Sequence, residues 1–231
     1  MSDERYAPPT AALAEPTQGR GTGEIDLGEA FREAWAAVWP NFGLIIGTGL
    51  LGGLIALLSG LTIVGIIAVW PVLAWGSTRF LLNVLDGDAE TRDLFAGFSN
   101  YGENLRAMLN LGGLMLLIAL AGQALSHLGT FLGSTVVMVL GGLVSLYWSL
   151  CVMPRLAFVG YYLVDQGLGA SESIRASWDA TQNQKLMCFV LGLVSGLIPL
   201  VGFLFLIVGV IPAVMVASLM QAAAYRQLAG R

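Results

Sequence analysis

The sequence predicts an all-α integral membrane protein with six transmembrane helices arranged as three hairpins, each preceded by a short interfacial amphipathic helix. Three observations carry that reading. Hydrophobic residues make up 56% of the 231-residue chain and charged residues only 11%. A soluble domain carries about 25% charged residues, so most of this exterior must face lipid. Thirty glycines include those within apolar runs such as LIIGTGLLGGLIALL at 44–58, where membrane helices use glycine for close contact. Lastly, all 11 Lys and Arg residues fall on one side of a six-span layout. They lie before the first span, around the second and fourth connections, and at the end of the chain.

Residues 1–24 open the chain with Pro, Gly, Ala, Thr and acids and almost nothing to bury. Such a composition does not offset the entropy of ordering, so the stretch reads as a disordered cytoplasmic tail. It lacks the basic region and apolar core of a secretory leader. A membrane helix needs about 20 mostly apolar residues, and the six-helix membrane domain, 25–231, supplies them in pieces. The expected spans are 42–59, 63–84, 105–125, 135–164 (one long or broken span), 186–199 and 203–225. Breaks are expected near Ser59–Thr62 and Ile198–Gly202. Cytoplasmic loops favour Lys and Arg, which places both termini in the cytoplasm of a bacterial inner membrane. The outer face then shows only short uncharged turns, with His127 its most polar feature.

The polar segments before the hairpins share a pattern. LGEAFREAWAAVWPNF, RDLFAGFSNYGENL and SIRASWDATQNQKL align on Phe31, Leu94 and Ile174. Four residues on stand Trp35, Phe98 and Trp178; seven on, Val38, Tyr101 and Thr181; ten on, Asn41, Asn104 and Gln184. Positions 0, 4 and 7 share a helical face, so these read as interfacial helices with an aromatic ring at headgroup depth. The amides Asn41, Asn104 and Gln184 are placed to bond headgroups or the first free amides of each span. Asp26 followed by Glu29 resembles a capping box. Pro71, Pro154 and Pro212 are expected as helix breaks in the second helix of each hairpin. The repeat would be parallel, each copy carrying two spans.

WAAVWPNFG at 35–43, DLFAGF at 93–98 and the run from Ala170 through Ser177, Trp178, Thr181 and Lys185 resemble a broad group of bacterial multi-span membrane proteins. These are similar to the membrane domain of glycerophosphoryl diester phosphodiesterases. The resemblance covers residues 26–226 and implies the architecture alone, because the hydrolase activity of that group belongs to a separate soluble domain that this chain lacks.

The chemical motifs are few. GTGLLGG at 47–53 spells G-x-G-x-x-G, but within a membrane helix rather than a strand–turn–helix unit, so no cofactor is expected. The glycine pairs 43/47, 49/53, 129/133 and 192/196 fit small-xxx-small packing, with the packing members left open. Cys151 and Cys188 read as small apolar side chains. Asp86, Asp88, Glu90 and Asp93 lack calcium-loop spacing, and a lone His127 makes no metal site. Arg155 is the candidate intramembrane functional residue, with two placements open. It either snorkels at the inner interface or lies deep in the bilayer, where an unpartnered charge costs at least about 2.5–3.5 kcal/mol. No basic patch points to nucleic acid. The expected partners are membrane lipids and other membrane or cytoplasmic proteins. The expected function is a non-enzymatic scaffold, assembly factor or complex subunit. The alternative is a transporter or permease for a lipid or an apolar small molecule.

Overall fold

The structure is a computed structural model that describes residues 23–204 and 206–230. Residues 1–22, most of the expected tail, lie outside the described residues. Asp26 starts α1 (Leu27–Val38) by accepting a hydrogen bond from the Glu29 amide at 2.9 Å, the N-cap that its spacing predicts. α2 (Phe42–Gly60) follows. Thr62 then caps the short α3 (Ile63–Ala68), accepting from the Gly65 amide at 3.0 Å. α4 (Trp70–Asp86) ends at Gly87, whose φ of 81° suits a residue without Cβ. A 3-10 helix, Thr91–Phe98, leads to the long α5 (Tyr101–Leu132). Gly133, with φ 65°, and the N-cap Ser134 turn the chain into α6 (Thr135–Tyr147). A π-helical turn, Trp148–Val152, and a 3-10 turn, Met153–Leu156, separate α6 from α7 (Val159–Asp165). α8 (Ala170–Ala180), α9 (Lys185–Leu204) and α10 (Leu206–Ala229) complete the chain.

Among the described residues there is no strand, and four stretches are long and apolar enough to cross a bilayer by length and composition. They are Phe42–Gly60, Ile63–Asp86, Thr135–Asp165 and Lys185–Gly202. The chain is an all-helical membrane protein. Its burial is uneven. The main core gathers Ala30, Ala34 and Val38 of α1, Phe80 and Val84 of α4, Phe158 and Tyr162, Cys188 and Leu191, and the α10 run from Leu219 to Tyr225. By contrast, α6 exposes Val136, Val139, Leu140 and Leu143, and Phe131 at the end of α5 is 86% exposed. That apolar surface matches lipid as its solvent.

Polar contacts collect at the packed end. Arg226 bonds Glu33 at 2.9 Å and Asp86 at 3.3 Å, joining α10 to α1 and α4. The Tyr225 hydroxyl donates to Asp165 at 2.7 Å, joining α10 to α7. The Asp26 amide donates to the Gln227 side chain at 2.9 Å. Burial raises the Glu33 carboxyl above its ordinary value, Arg226 opposes the shift, and Glu29 and Asp86 add to it.

Several expectations change. The second polar segment is not an amphipathic α-helix. It is a 3-10 helix folded back along α4, with Leu94 beside Gly76, Gly97 beside Val72, and the Tyr101 hydroxyl donating to the Ala68 carbonyl at 3.1 Å. Gly76 and Gly97 allow this, because a Cβ on either would stand 1.9 Å or 2.3 Å from a backbone oxygen. Pro71 sits at a break: the span Ile63–Asp86 divides at Val69 into α3 and α4, and Pro71 falls in the first turn of α4, where its missing N–H is harmless. Pro154 does sit at a break, just after the π-helical turn. Pro212 lies inside α10, and Pro199 lies inside α9, so the break expected at 198–202 is absent. His127 belongs to α5 rather than to a turn. Of the paired glycines, Gly129 packs on Met138 and Gly49 on the Met215 methyl, whereas Gly43, Gly47, Gly53, Gly192 and Gly196 meet nothing within 4 Å.

Candidate functional site

Arg155 stands where the fourth expected span loses its regular helix. The π-helical turn before it and the 3-10 turn that contains it reset the helical register, and α7 then continues to Asp165. Its side chain is 5% exposed. One terminal nitrogen donates to the Trp178 carbonyl at 2.7 Å, and Nε donates to the Thr181 hydroxyl at 3.3 Å. The guanidinium carbon lies 3.5 Å from the centre of the Trp178 ring, a cation–π contact worth about 0.5–2 kcal/mol. The Arg155 carbonyl in turn accepts from the buried Ser177 hydroxyl at 2.7 Å. No ion pair holds Arg155 among the described residues. The charge is therefore spread over a carbonyl, a hydroxyl and an aromatic face, and α8 is clamped to the interrupted helix.

The three aromatic anchors consequently do different things. Trp35 is 47% exposed and stands in a ladder of rings, Phe31–Trp35–Trp39–Phe42, with centroids 5.9, 5.1 and 5.7 Å apart. Phe98 stacks on Tyr101 at 6.0 Å and meets Phe95 at a tilt at 6.3 Å. Trp178 lies under Arg155. The amides also turn inward. Asn41 donates to the Ala37 carbonyl at 3.1 Å and Asn104 to the Gly97 carbonyl at 2.9 Å. Gln184 accepts from the Ile25 amide, tying the end of the third segment to the start of the first.

The residues that sequence reasoning missed, Ala30 and Ala34 on α1 and Ser173 and Ser177 on α8, lie one position before the aligned residues. Together with Val38 and with Thr181 at the C-cap of α8, which the pattern includes, they are buried to 1% exposure or less. Each set repeats every four residues, so a small-residue stripe was the available signal. Ser173 is buried with no hydrogen-bond partner for its hydroxyl.

A lateral groove of about 730 Å³ lies between α1, α9 and α10. Phe31, Trp35, Val38 and Trp39 form one wall; Val194, Leu197, Ile198, Val201 and Gly202 form the second; Pro212, Ala213 and Val216 form the third. Among the described residues every lining residue is apolar, and the size is that of a small-molecule site, roughly 300–1,000 Å³. A second cavity, about 300 Å³, lies between α2, α4 and α10 with the hydroxyls of Thr48, Ser77 and Ser218 in its lining. Those hydroxyls are engaged: Thr48 with Thr91, Ser77 with the Leu73 carbonyl, and Ser218 with the Val214 carbonyl. The acidic residues after α4 do not converge on a common point. Asp86 faces Arg226, Glu90 pairs with Arg92 at 2.7 Å, and Asp93 accepts from the Glu90 amide.

Comparison with protein-family models, with curated proteins and with solved structures finds no match in any of the three.

Proposed function

We propose that this chain is a six-span protein of the bacterial inner membrane, both termini cytoplasmic, that serves as a non-enzymatic scaffold, assembly factor or subunit of a larger complex. The observation that carries this reading is the division of the molecule into a polar end and a bare apolar end. Arg155, Arg226, Glu33, Asp86, Tyr225 and Asp165 engage one another or the backbone at helix junctions. The α5–α6 hairpin instead presents unpacked Leu, Val and Phe side chains around α6. Such a surface suits lipid and the spans of other proteins. α5, of 32 residues, and α10, of 24, are the helices that bring the four apolar stretches to six spans. Arg and Lys placement supports the cytoplasmic assignment.

A photo-crosslinking side chain at Leu140 or Leu143 tests the scaffold reading in native membranes. Discrete protein adducts that persist on native gels support it; adducts to lipid alone refute it. A second reading, handling of a lipid or an apolar small molecule, is favoured by the wholly apolar lateral groove.

A further inference from the structure

We infer that the cavity between α4 and α7 binds a zwitterionic phosphoethanolamine group, a phosphate joined through two carbons to a primary ammonium. The inference goes beyond the scaffold reading and rests only on its span assignment. That assignment puts Asp86 and Asp165, the last residues of α4 and α7, at the cytoplasmic interface. The cavity, about 200 Å³, is lined by Arg79, Leu82, Asn83 and Asp86 of α4 and by Val164 and Asp165 of α7. Arg79, Asn83 and Asp86 stand at the spacing of one helix face. A guanidinium, an amide and a carboxylate therefore follow one another along one wall, and the second carboxylate belongs to the other.

Charge selects the class of ligand. Asp86 and Asp165 have partners in Arg226 and the Tyr225 hydroxyl, at 3.3 and 2.7 Å, yet a carboxylate offers about four acceptor sites. Arg79 is exposed. Among the described residues its side chain makes no ion pair or hydrogen bond, with these carboxylates or with any other group. Opposite charges thus line one cavity without meeting. Arg79 opposes a metal ion, and the two carboxylates oppose a plain anion. A ligand carrying both signs satisfies both: the guanidinium takes the phosphate bidentately, and the ammonium donates hydrogen bonds to the carboxylates. The C-terminal end of α4 adds its negative dipole on the ammonium side.

Order along the helix selects the lipid-borne form of the group. Arg79 precedes Asp86 by seven residues, about 10 Å along the axis, and in the span reading it is the deeper of the two. In a phosphoethanolamine lipid the phosphate is likewise the deeper charge, next to the glycerol and acyl chains, with the ammonium outside it. The free group carries the same charges without that order.

The test uses the full chain purified in mild detergent and offered an equal mixture of phosphatidylethanolamine, phosphatidylcholine and phosphatidylglycerol, with bound lipid counted by native mass spectrometry. The expected result is preferential retention of phosphatidylethanolamine, because phosphatidylcholine has no N–H to donate and phosphatidylglycerol has no cation. Arg79→Gln lowers that retention about tenfold, a loss of about 1.4 kcal/mol, and Arg79→Lys restores part of it. Arg106→Gln, on α5 and outside the lining, leaves it unchanged. Arg79→Gln keeps the wild-type melting temperature, and the wild-type preference alone decides the matter should the variant fail to fold. Undiminished preference in a folded Arg79→Gln chain, or preference for phosphatidylglycerol, overturns the inference. Equal retention of the three lipids also overturns it, unless free O-phosphoethanolamine binds the lipid-free chain through Arg79 in calorimetry. That last result keeps the site and overturns its lipid-borne form. Release of the chain from membranes by alkaline washing overturns the span reading together with the inference, whereas loss of the lipid preference in a chain that stays in the membrane overturns only the inference.

Discussion

Replacing Gly76 by Ala separates the observed fold from the one expected of the pattern. A Cβ at Gly76 would lie 1.9 Å from the Leu94 oxygen and 2.5 Å from the Leu94 carbonyl carbon, about 1.5 Å short of ordinary contact. The obstruction is backbone, so no rotamer change relieves it. Overpacking costs about 1–3 kcal/mol, and a segment pushed off α4 also loses the burial of Leu94, about 1.5–3 kcal/mol when complete. Against this stands the helix preference for Ala over Gly, about 1 kcal/mol. The expected net loss is about 2 kcal/mol or more, a fall in melting temperature of about 4–8 °C for a chain of this size. Thermal unfolding in detergent, followed by tryptophan emission, reads it. Gly142→Ala is the control: nothing lies within 4 Å of its Cβ position, so it should be neutral or stabilising by up to about 1 kcal/mol. Truncating Leu94 to Ala should not rescue Gly76→Ala, because the clash is with main chain. A Gly76→Ala protein that melts at or above wild type refutes the packing of 91–98 on α4.

Arg155 gives a two-variant prediction. Arg155→Ala opens a cavity and should cost about 3 kcal/mol, whereas Arg155→Met keeps the volume and removes the buried charge, so it should fall within about 1 kcal/mol of wild type. Equal, large losses in chemical denaturation would show that the charge itself is required. Glu33 gives a pH dependence. Its folded-state pKa is raised above 4.5, so the folded chain binds more protons in the window just above 4.5. This contribution to stability therefore declines as pH rises from 4.5 through the raised value, and Glu33→Gln should flatten that part of the profile. A wild-type profile that rises across the same window would contradict the assignment.

The membrane class and the cap at Asp26 were legible because each rests on local composition or on contacts three residues apart. The course of 91–98 was not legible. Its amphipathic spacing matched α1 and α8, and only the close approach of Gly76 and Gly97 to facing backbone diverts it into a 3-10 helix. Glycine pairs four apart were only a partial signal: Gly49 and Gly129 make close contacts, and the other members meet nothing within 4 Å. A single glycine facing main chain, such as Gly76, decides close packing, and Gly192 with Gly196 faces nothing. The break expected near Ile198–Gly202 is absent because a helix in lipid, whose backbone groups must bond internally, continues through a proline such as Pro199 more readily than a soluble one. Arg155 stood out as a charge beside apolar spans, but its partners Trp178 and Thr181 come from α8 and its C-cap, more than twenty residues away, and spacing within its own helix carries no record of them. The stripe Ser173–Ser177–Thr181 was visible in the sequence and was overshadowed by the larger apolar residues on the adjoining face.

Cysteine accessibility in oriented membrane vesicles tests the central claim most directly. In a Cys151→Ala, Cys188→Ala background, single cysteines at Thr62 and Ser134 should react with a membrane-impermeant maleimide only from outside the cell. Cysteines at Asp88 and Gln182 should react only from the cytoplasmic side. Labelling of Asp88 and Ser134 positions from the same side would contradict six spans with a cytoplasmic polar end.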